Sequence, residues 1–252
     1  MTSSLLSSVE EGVLTLTLNR PTKRNALNAE LIEQLHQSLQ HADLSAEVRV
    51  VVLRGAGRDF CAGADLDELL ASVDRSVSEN EAAALRLGGL FGQMRQLPKP
   101  ILAMVHGRAL AGGAGLASAC DLVIAADSAE LGYPEIQRGF APAMVMALLR
   151  RAMGEKIALD LVLTGRVLSA REALAVGLVS RVVPENDLER EGLELARELA
   201  RTSASALAFT KQLFYQLDGE SLTEGIARGA RVNALARGTP DFRNAVARFL
   251  GK

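Results

Sequence analysis

The 252-residue sequence has no tryptophan, two tyrosines, two cysteines and three histidines. An aromatic fraction of 4% argues against the stacking platforms on which nucleic-acid-binding proteins seat bases. Cys61 and Cys120 are too few for a disulfide framework and are typical of a reducing compartment, so we expect a cytoplasmic protein. The histidines are scattered, and no Cys or His pair has metal-ligand spacing, so the sequence predicts no metal site.

An excess of charge of one sign is also lacking. Lys and Arg number 28 and Asp and Glu number 30, which gives a net charge of −2 and predicts no general attraction to nucleic acid or anionic membranes. The sequence has no apolar run of about 18 residues that would predict a membrane span, and residues 1–12 lack the order of a signal peptide. With 48% hydrophobic residues, a chain of this length can bury a large core.

Two hydrophobic periods alternate in the first half of the chain. Period-two alternation and short apolar runs predict strands, whereas an apolar stripe every three to four residues predicts helices. The predicted strands cover residues 5–9, 13–19, 48–53, 101–105 and 122–126. The predicted helices cover residues 29–40 after the N-cap Asn28, about 78–97, and a short segment that begins near Gly112. This alternation is typical of an α/β fold.

The pattern after residue 135 is mostly helical. Ser169 with Glu172 and Ser221 with Glu224 form capping boxes, which mark helix starts. We therefore divide the chain into a βα-rich core over residues 1–186 and a helical region over residues 187–252. The helices of the second region are amphipathic, and they either cover the sheet or pack against another subunit.

Two glycine-rich junctions follow predicted strands. The first junction, residues 60–66, has the sequence Phe-Cys-Ala-Gly-Ala-Asp-Leu, and the second, residues 107–115, has the sequence Gly-Arg-Ala-Leu-Ala-Gly-Gly-Ala-Gly. Small residues let a ligand approach the backbone, and the start of a helix carries free N–H groups. Two such groups aimed at one point form an oxyanion hole, and Glu135 could move protons beside it. The combination indicates enolate chemistry; the alternative is that both junctions are only tight turns.

A dinucleotide site is the main competing interpretation of the second junction. Residues 113–118, Gly-Ala-Gly-Leu-Ala-Ser, nearly match the G-x-G-x-x-G fingerprint but end in serine. The acidic residue that should bind ribose would end a strand about 20 residues on. Glu135 is at that distance, yet it follows Gly132 and Pro134 and does not end an apolar strand. We therefore expect no dinucleotide cofactor.

Taken in order, the motifs resemble those of the crotonase superfamily, also called the enoyl-CoA hydratase/isomerase family. The matching segments are residues 19–21 with 23–28, 60–66, 109–121, 132–136, and 164–166 through 177–179. The resemblance spans essentially the whole chain and implies an α/β fold with a crotonase-like spiral core of ββα units. It also implies a homotrimer or homohexamer, with the helical C-terminal region used in trimerisation. The implied substrate is an acyl-CoA thioester, which brings coenzyme A with it, and no cofactor is tightly bound.

The resemblance also implies roles for individual residues. The oxyanion hole consists of the backbone amides of Ala64 and Gly112, and Glu135 is the general acid/base. The residues expected to contact coenzyme A are Arg24, through phosphate, and Ala62, Asp65 and Leu66. The residues expected to line the acyl pocket are Gly115, Tyr133, Arg138 and Phe140.

Several of these residues also have a structural interpretation. Arg24 could be part of a solvated basic turn, and Glu135 could only offset a helix dipole. Arg138 could bind a carboxylate on the acyl chain or could pair at a surface or subunit contact. Core packing is the favoured interpretation of Phe140. Cys61 is interpreted as a small buried residue and not as a nucleophile.

The proton-transfer groups depart from the family pattern. Hydratases of the family use two glutamates; the later one aligns with Glu135, but the earlier one aligns with Gly115. Gly115 could mark a close helix–strand contact, or it could leave space for a bulky acyl group or a water. We hypothesise that Glu135 is the sole acid/base and that the sequence supports double-bond isomerisation at least as well as hydration. The alternative is a non-catalytic or weakly active acyl-CoA-binding homologue.

Overall fold

The structure is a computed structural model that describes residues 3–251, and within them it contains nine strands and eleven α-helices. The strands are β1 Leu5–Glu10, β2 Val13–Leu18, β3 Val50–Gly55, β4 Ile101–Val105, β5 Arg108–Leu110, β6 Leu122–Ala126, β7 Glu130–Gly132, β8 Val167–Ser169 and β9 Arg181–Val183. The α-helices are α1 Ala29–Leu44, α2 Leu66–Ala71, α3 Val77–Gln96, α4 Gly112–Ala119, α5 Ala143–Ala152, α6 Glu155–Thr164, α7 Ala170–Ala175, α8 Leu188–Arg201, α9 Ala204–Gln216, α10 Leu222–Arg237 and α11 Pro240–Phe249. Three short 3-10 helices cover Pro21–Lys23, Pro134–Arg138 and Glu185–Asp187.

Two sheets organise these elements. The larger has six strands in the order β1-β2-β3-β4-β6-β9, and only the β1–β2 pair is antiparallel. The smaller has three strands in the order β5-β7-β8, with β5 and β7 parallel. Helices connect the parallel strands, as such crossovers require. The predicted α/β fold is confirmed.

The large sheet is covered on both faces. Leu53 lies with Leu35 of α1 and Leu90 of α3 around one small apolar space. On the opposite face Met104 packs against Gly192 of α8, where a methyl group would lie 2.7 Å from its sulfur. Burial on both faces explains why the central strands are continuous apolar runs.

Most long elements match their sequence patterns closely. Strands β4 and β6 have the predicted bounds, and α3 differs by about one residue at each end. Helix α1 continues four residues beyond the predicted end at residue 40, to Leu44. Asn28 caps α1 by accepting a hydrogen bond from Leu31 N at 3.0 Å, and both predicted capping boxes form.

The helical region after residue 186 has two parts. Helix α8 contacts β3, β4 and β6, so it covers the sheet, the first of the two alternatives. Helices α10 and α11 bury no residue and leave large apolar side chains exposed, including Leu222 (82%) and Phe249 (90%). Such a surface is typical of one that a partner covers. Use of this region in trimerisation stays a prediction.

Helix α9 lies between the core and helices α10 and α11, and a buried ion pair links it to the core. Lys211 Nζ lies 2.7 Å from Asp121 Oδ2 and donates hydrogen bonds to Met94 O at 2.8 Å and Lys99 O at 3.0 Å. Tyr215 donates to the other oxygen of Asp121 at 2.9 Å. Within residues 3–251, no helix combines the length and apolar character needed to cross a membrane.

Candidate active site

The first glycine-rich junction is paired on one side with the segment that leads into the second. Segment 59–65 runs beside segment 106–110 and exchanges backbone hydrogen bonds with it. These bonds join Phe60 N to His106 O, Cys61 N to Arg108 O, and Leu110 N to Cys61 O, each at 3.0 Å. The two junctions, about 50 residues apart in sequence, are therefore adjacent in the fold.

The other side of the first junction is paired with segment 24–27. These bonds join Ala62 N to Arg24 O at 3.0 Å, Leu27 N to Gly63 O at 2.7 Å, and Asp65 N to Leu27 O at 2.9 Å. Gly63 has φ +98°, a backbone conformation that favours glycine. The pairing uses the N–H groups of Ala62 and Asp65 but not that of Ala64.

The two predicted oxyanion amides lie close together. A methyl group on Gly112 would lie 3.8 Å from Ala64 N, and one on Gly63 would lie 3.4 Å from Gly112 N. Gly112 is the first residue of α4, where N–H groups have no intrahelical acceptor. Neither Ala64 N nor Gly112 N donates a hydrogen bond to any group in residues 3–251. The helix dipole adds partial positive charge at Gly112.

Ala111 holds the turn from β5 into α4 in a strained conformation. Its φ of +53° and ψ of −124° are unusual for a residue with a side chain and cost about 1–3 kcal/mol. Ala111 N donates to Gly132 O at 2.8 Å, and Ala111 O accepts from Gly115 N at 2.9 Å. These bonds fix the start of α4 against β7, three residues before Glu135.

Glu135 lies in the 3-10 helix Pro134–Arg138. The residue is half-buried, and its Oε2 atom is buried without a hydrogen-bond partner in the described part of the chain. Burial raises the pKa of Glu135, although a bond from its own amide and the charge of Arg138 oppose the shift. A buried carboxylate with spare acceptor capacity and a raised pKa is suited to proton transfer.

Gly115 packs closely against two apolar side chains. A methyl group there would lie 2.5 Å from Cγ1 of Val145 in α5 and 3.0 Å from Cζ of Phe91 in α3. Of the two interpretations of Gly115, the close contact is therefore the one seen, although the partners are helices and not a strand. The space where a side chain at residue 115 would lie is occupied by Val145 and Phe91.

The other predicted acyl-pocket residues lie in different environments. Tyr133 is fully buried, and its hydroxyl is 2.8 Å from Ser118 Oγ. Phe140 is 51% exposed, so the core-packing interpretation of this residue is wrong. Gly139, with φ +70°, ends the 3-10 helix and turns the chain outward before Phe140. Arg138 is exposed and forms no salt bridge with the residues that the structure describes.

Arg24 is placed at the edge of the junctions. Its side chain is 57% exposed, and its Nε is 3.9 Å from Oδ2 of Asp59. Neighbouring Lys23 donates to Asp67 at 2.6 Å. Arg24 therefore keeps donors that can reach an anion, whereas Lys23 is paired with Asp67.

The remaining predicted coenzyme A contacts differ in accessibility. Asp65 is buried; it accepts a bond from Arg20 Nη2 at 2.8 Å and caps α2 through Asp67 N at 3.1 Å. Its carboxylate therefore serves the fold. Ala62 is half-buried, whereas Leu66 is mostly exposed.

Sequence reasoning missed the polar residues that join the three segments. Asn25 is fully buried; its side chain donates to Asp59 O and Ala56 O at 2.8 Å each and accepts from Arg20 N at 2.9 Å. Asp59 binds Arg108 through several hydrogen bonds. Asn25 belongs to a segment that matches the family, but its burial and its bonds to Ala56 and Asp59, which are 31 and 34 residues away, have no local signal in the sequence.

An α/β core that joins two glycine-rich junctions near a half-buried carboxylate is typical of enzymes that act at a carbonyl carbon. The family model described as enoyl-CoA hydratase/isomerase matches residues 8–252. The chain therefore belongs to this family, the crotonase superfamily, whose members act on acyl-CoA substrates.

Individual relatives and solved structures agree with this assignment. A putative enoyl-CoA hydratase of Thermus thermophilus is 43% identical over 245 residues, 97% of each chain. The 2,3-dehydroadipyl-CoA hydratase of Escherichia coli is 37% identical over 99% of this chain and 96% of its own. The crystal structure of a Mycobacterium smegmatis enoyl-CoA hydratase superimposes with a TM-score of 0.95 at 31% identity, covering 99% of this chain and 97% of its own. The crotonase-like fold is thereby confirmed.

Because the two junctions are in tight contact at Gly113, a larger residue there should destabilise the fold. A methyl group there would lie 2.2 Å from Cys61 O, so Gly113→Ala is expected to destabilise the protein by about 1–3 kcal/mol in urea unfolding. The matched control is Gly92→Ala in α3, where no described atom outside the local backbone lies within 4 Å of the new methyl. That variant should gain about 0.5–1 kcal/mol. Equal unfolding midpoints for the two variants would contradict this account.

Proposed function

We propose that the protein converts enoyl-CoA thioesters through an enolate held by the backbone N–H groups of Ala64 and Gly112, with Glu135 as its sole general acid/base. The supporting observation is the adjacency of these two amides, which have no acceptor within residues 3–251. Fixed donors stabilise the developing oxyanion without reorganising, and each is worth about 10²- to 10³-fold in rate. Arg24 is the proposed contact for a coenzyme A phosphate, with Ala62 and Leu66 beside it.

Isomerisation needs only one base. Glu135 would remove a proton from C2 of a 3-enoyl thioester, the electron pair would shift through C3, and the same proton would return to C4 to give the 2-enoyl product. Hydration additionally needs a group that holds water. The packing of Val145 and Phe91 against Gly115 places apolar atoms where a second carboxylate would lie, which supports isomerisation. The names of the relatives favour hydration, so both reactions should be measured.

Glu135→Gln is expected to lower kcat by about 10²- to 10⁴-fold for isomerisation or hydration, whichever the wild type catalyses faster. Chromatography of the 2-enoyl and 3-enoyl thioesters measures both reactions. In the wild type, kcat/KM should rise with pH along a limb whose midpoint lies above the usual glutamate pKa, because burial disfavours the carboxylate. The variant should lack this limb. Efficient hydration of crotonyl-CoA by the variant would overturn the role of Glu135.

The stability of the same variant serves as its control. Because the folded-state pKa of Glu135 is raised, the folded state binds more protons than the unfolded state, and stability falls as pH rises through that window. Glu135→Gln should therefore be at least as stable as the wild type at pH 7. Binding of acyl-CoA without turnover by the wild type would favour the non-catalytic alternative.

The environment of Gly115 predicts how hydratase activity could be introduced. Gly115→Glu alone should fold poorly, because its Cβ would lie 2.5 Å from Val145 Cγ1. Adding Val145→Ala removes that atom, and the double variant should hydrate crotonyl-CoA faster than Val145→Ala alone. Loss of the enoyl absorbance measures the rate. If the double variant folds but gains no hydration, the missing acid does not limit the reaction.

Arg138 suggests a substrate class. It lies one turn of the 3-10 helix after Glu135, is exposed and has no ion-pair partner among the described residues. The Escherichia coli relative is named for a substrate whose acyl group is dicarboxylic. We propose that Arg138 binds a terminal carboxylate through charge-assisted hydrogen bonds.

Arg138→Met should raise KM for 2,3-dehydroadipyl-CoA by about tenfold or more, since a hydrogen bond to a charged group is lost. The control substrate is 2-hexenoyl-CoA, which has the same acyl length but lacks the carboxylate. Its KM should be unchanged. Parallel changes in KM for both substrates would assign Arg138 to packing or to a subunit contact.

A further inference from the structure

We propose that Asp59 and Arg108 are positioning residues that set the register between the two junctions and thereby aim the amides of Ala64 and Gly112 at one point. The proposal rests on the proposed function of those amides. It concerns a pair of side chains that lies outside the predicted site and touches neither amide.

The geometry of the pair is that of a clamp. Asp59 Oδ1 accepts hydrogen bonds from Arg108 N at 3.1 Å and Arg108 Nε at 3.0 Å, and Oδ2 accepts one from Nη2 at 3.1 Å. The carboxylate therefore holds both the backbone and the guanidinium of the same residue. The fork of an arginine fits a carboxylate in one orientation, which adds geometric specificity to binding energy.

The clamp lies where register is decided. Asp59 is the first residue of the paired segment 59–65, and Arg108 is the first residue of β5. Ala64 follows Asp59 by five residues and Gly112 follows Arg108 by four. If segment 59–65 shifted by one residue against segment 106–110, the amide of Ala64 would move by about 3.3 Å relative to that of Gly112. A productive site tolerates about 0.5 Å.

The charge of Arg108 keeps the buried Asp59 carboxylate ionised and hydrogen-bonded. The Asp59 side chain is 1% exposed, and burial alone would raise its pKa. Hydrogen bonds from Arg108, with the charge of Arg24 nearby, instead hold the pKa of Asp59 below its usual value. The carboxylate thus stays ionised at neutral pH. An ion pair exposed on the surface would contribute little to the stability of this arrangement.

The same residue also reaches the third segment. Asn25 donates to Asp59 O at 2.8 Å, and Arg24 Nε lies 3.9 Å from Asp59 Oδ2. Asp59 therefore contacts both of the segments that pair with its own. If the pair were only structural, its removal would change folding alone. If it sets the register, its removal would also change the polarisation of the substrate carbonyl that the two amides bind.

Isotope-edited infrared spectroscopy of bound butanoyl-CoA, ¹³C-labelled at its carbonyl, tests the clamp without requiring turnover. Two amides that polarise the thioester lower its carbonyl stretching frequency. Asp59→Asn removes the charge, and Arg108→Lys keeps the charge but removes the fork. Both variants should return the frequency toward that of free butanoyl-CoA and lower kcat by about 10- to 100-fold, with less change in KM.

The matched control is Arg54→Lys, since Arg54 pairs with Glu189 at 2.7 Å on the sheet face covered by α8. It should leave both frequency and kcat unchanged. The double variant Asp59→Asn/Arg108→Lys should be no slower than the slower single variant, because one clamp is lost either way.

Some results would overturn the proposal. Folded single variants with the wild-type carbonyl frequency, or rate losses that multiply in the double variant, would show that the pair does not position the amides. Butanoyl-CoA bound to the wild type with the frequency of the free thioester would instead reject the oxyanion site itself. The experiment can therefore reject the positioning role of Asp59 and Arg108 without rejecting the proposed function, and the reverse.

Discussion

The site depends on a short stretch of backbone that is hydrogen-bonded along both edges. Segment 59–65 pairs with segment 106–110 on one side and segment 24–27 on the other. The N–H groups of Ala62 and Asp65 are used in this pairing, whereas that of Ala64, which lies between them, is not. An amide cannot be placed in this way by one strand alone. Three segments must meet in one register before the Ala64 N–H takes this position.

Several local costs are concentrated around that meeting point. Ala111 is strained, and Glu135 has a buried oxygen that finds no donor in the described chain. Each opposes folding by a modest amount, and the core of the large sheet offsets them. Costs at a site that serve a ligand's geometry are expected of enzymes.

Sequence patterns predicted the long elements well because burial imposes a period on them. They could not predict β5, whose three residues carry no period. The glycine-rich junctions are local signals, the assignment of the Ala64 and Gly112 amides came from the family resemblance, and their oxyanion role stays a prediction. That Val145 fills the space beside Gly115, and that Asp59 meets Arg108 across 49 residues, are facts of tertiary packing with no local signal. Phe140 was misjudged because a left-handed glycine redirects the chain just before it.

The burial of Cys61 has a consequence for the chemistry that the site can survive. Burial raises the pKa of its thiol to about 12, so almost no thiolate exists at neutral pH. Its backbone is also bonded to both Arg108 and Leu110. Cys61 is fully buried, so an oxidant or electrophile could reach the sulfur only after the fold opens locally. A cysteine in the first junction is thus sheltered from sulfenic acid formation and from mixed disulfides for as long as the chain stays folded.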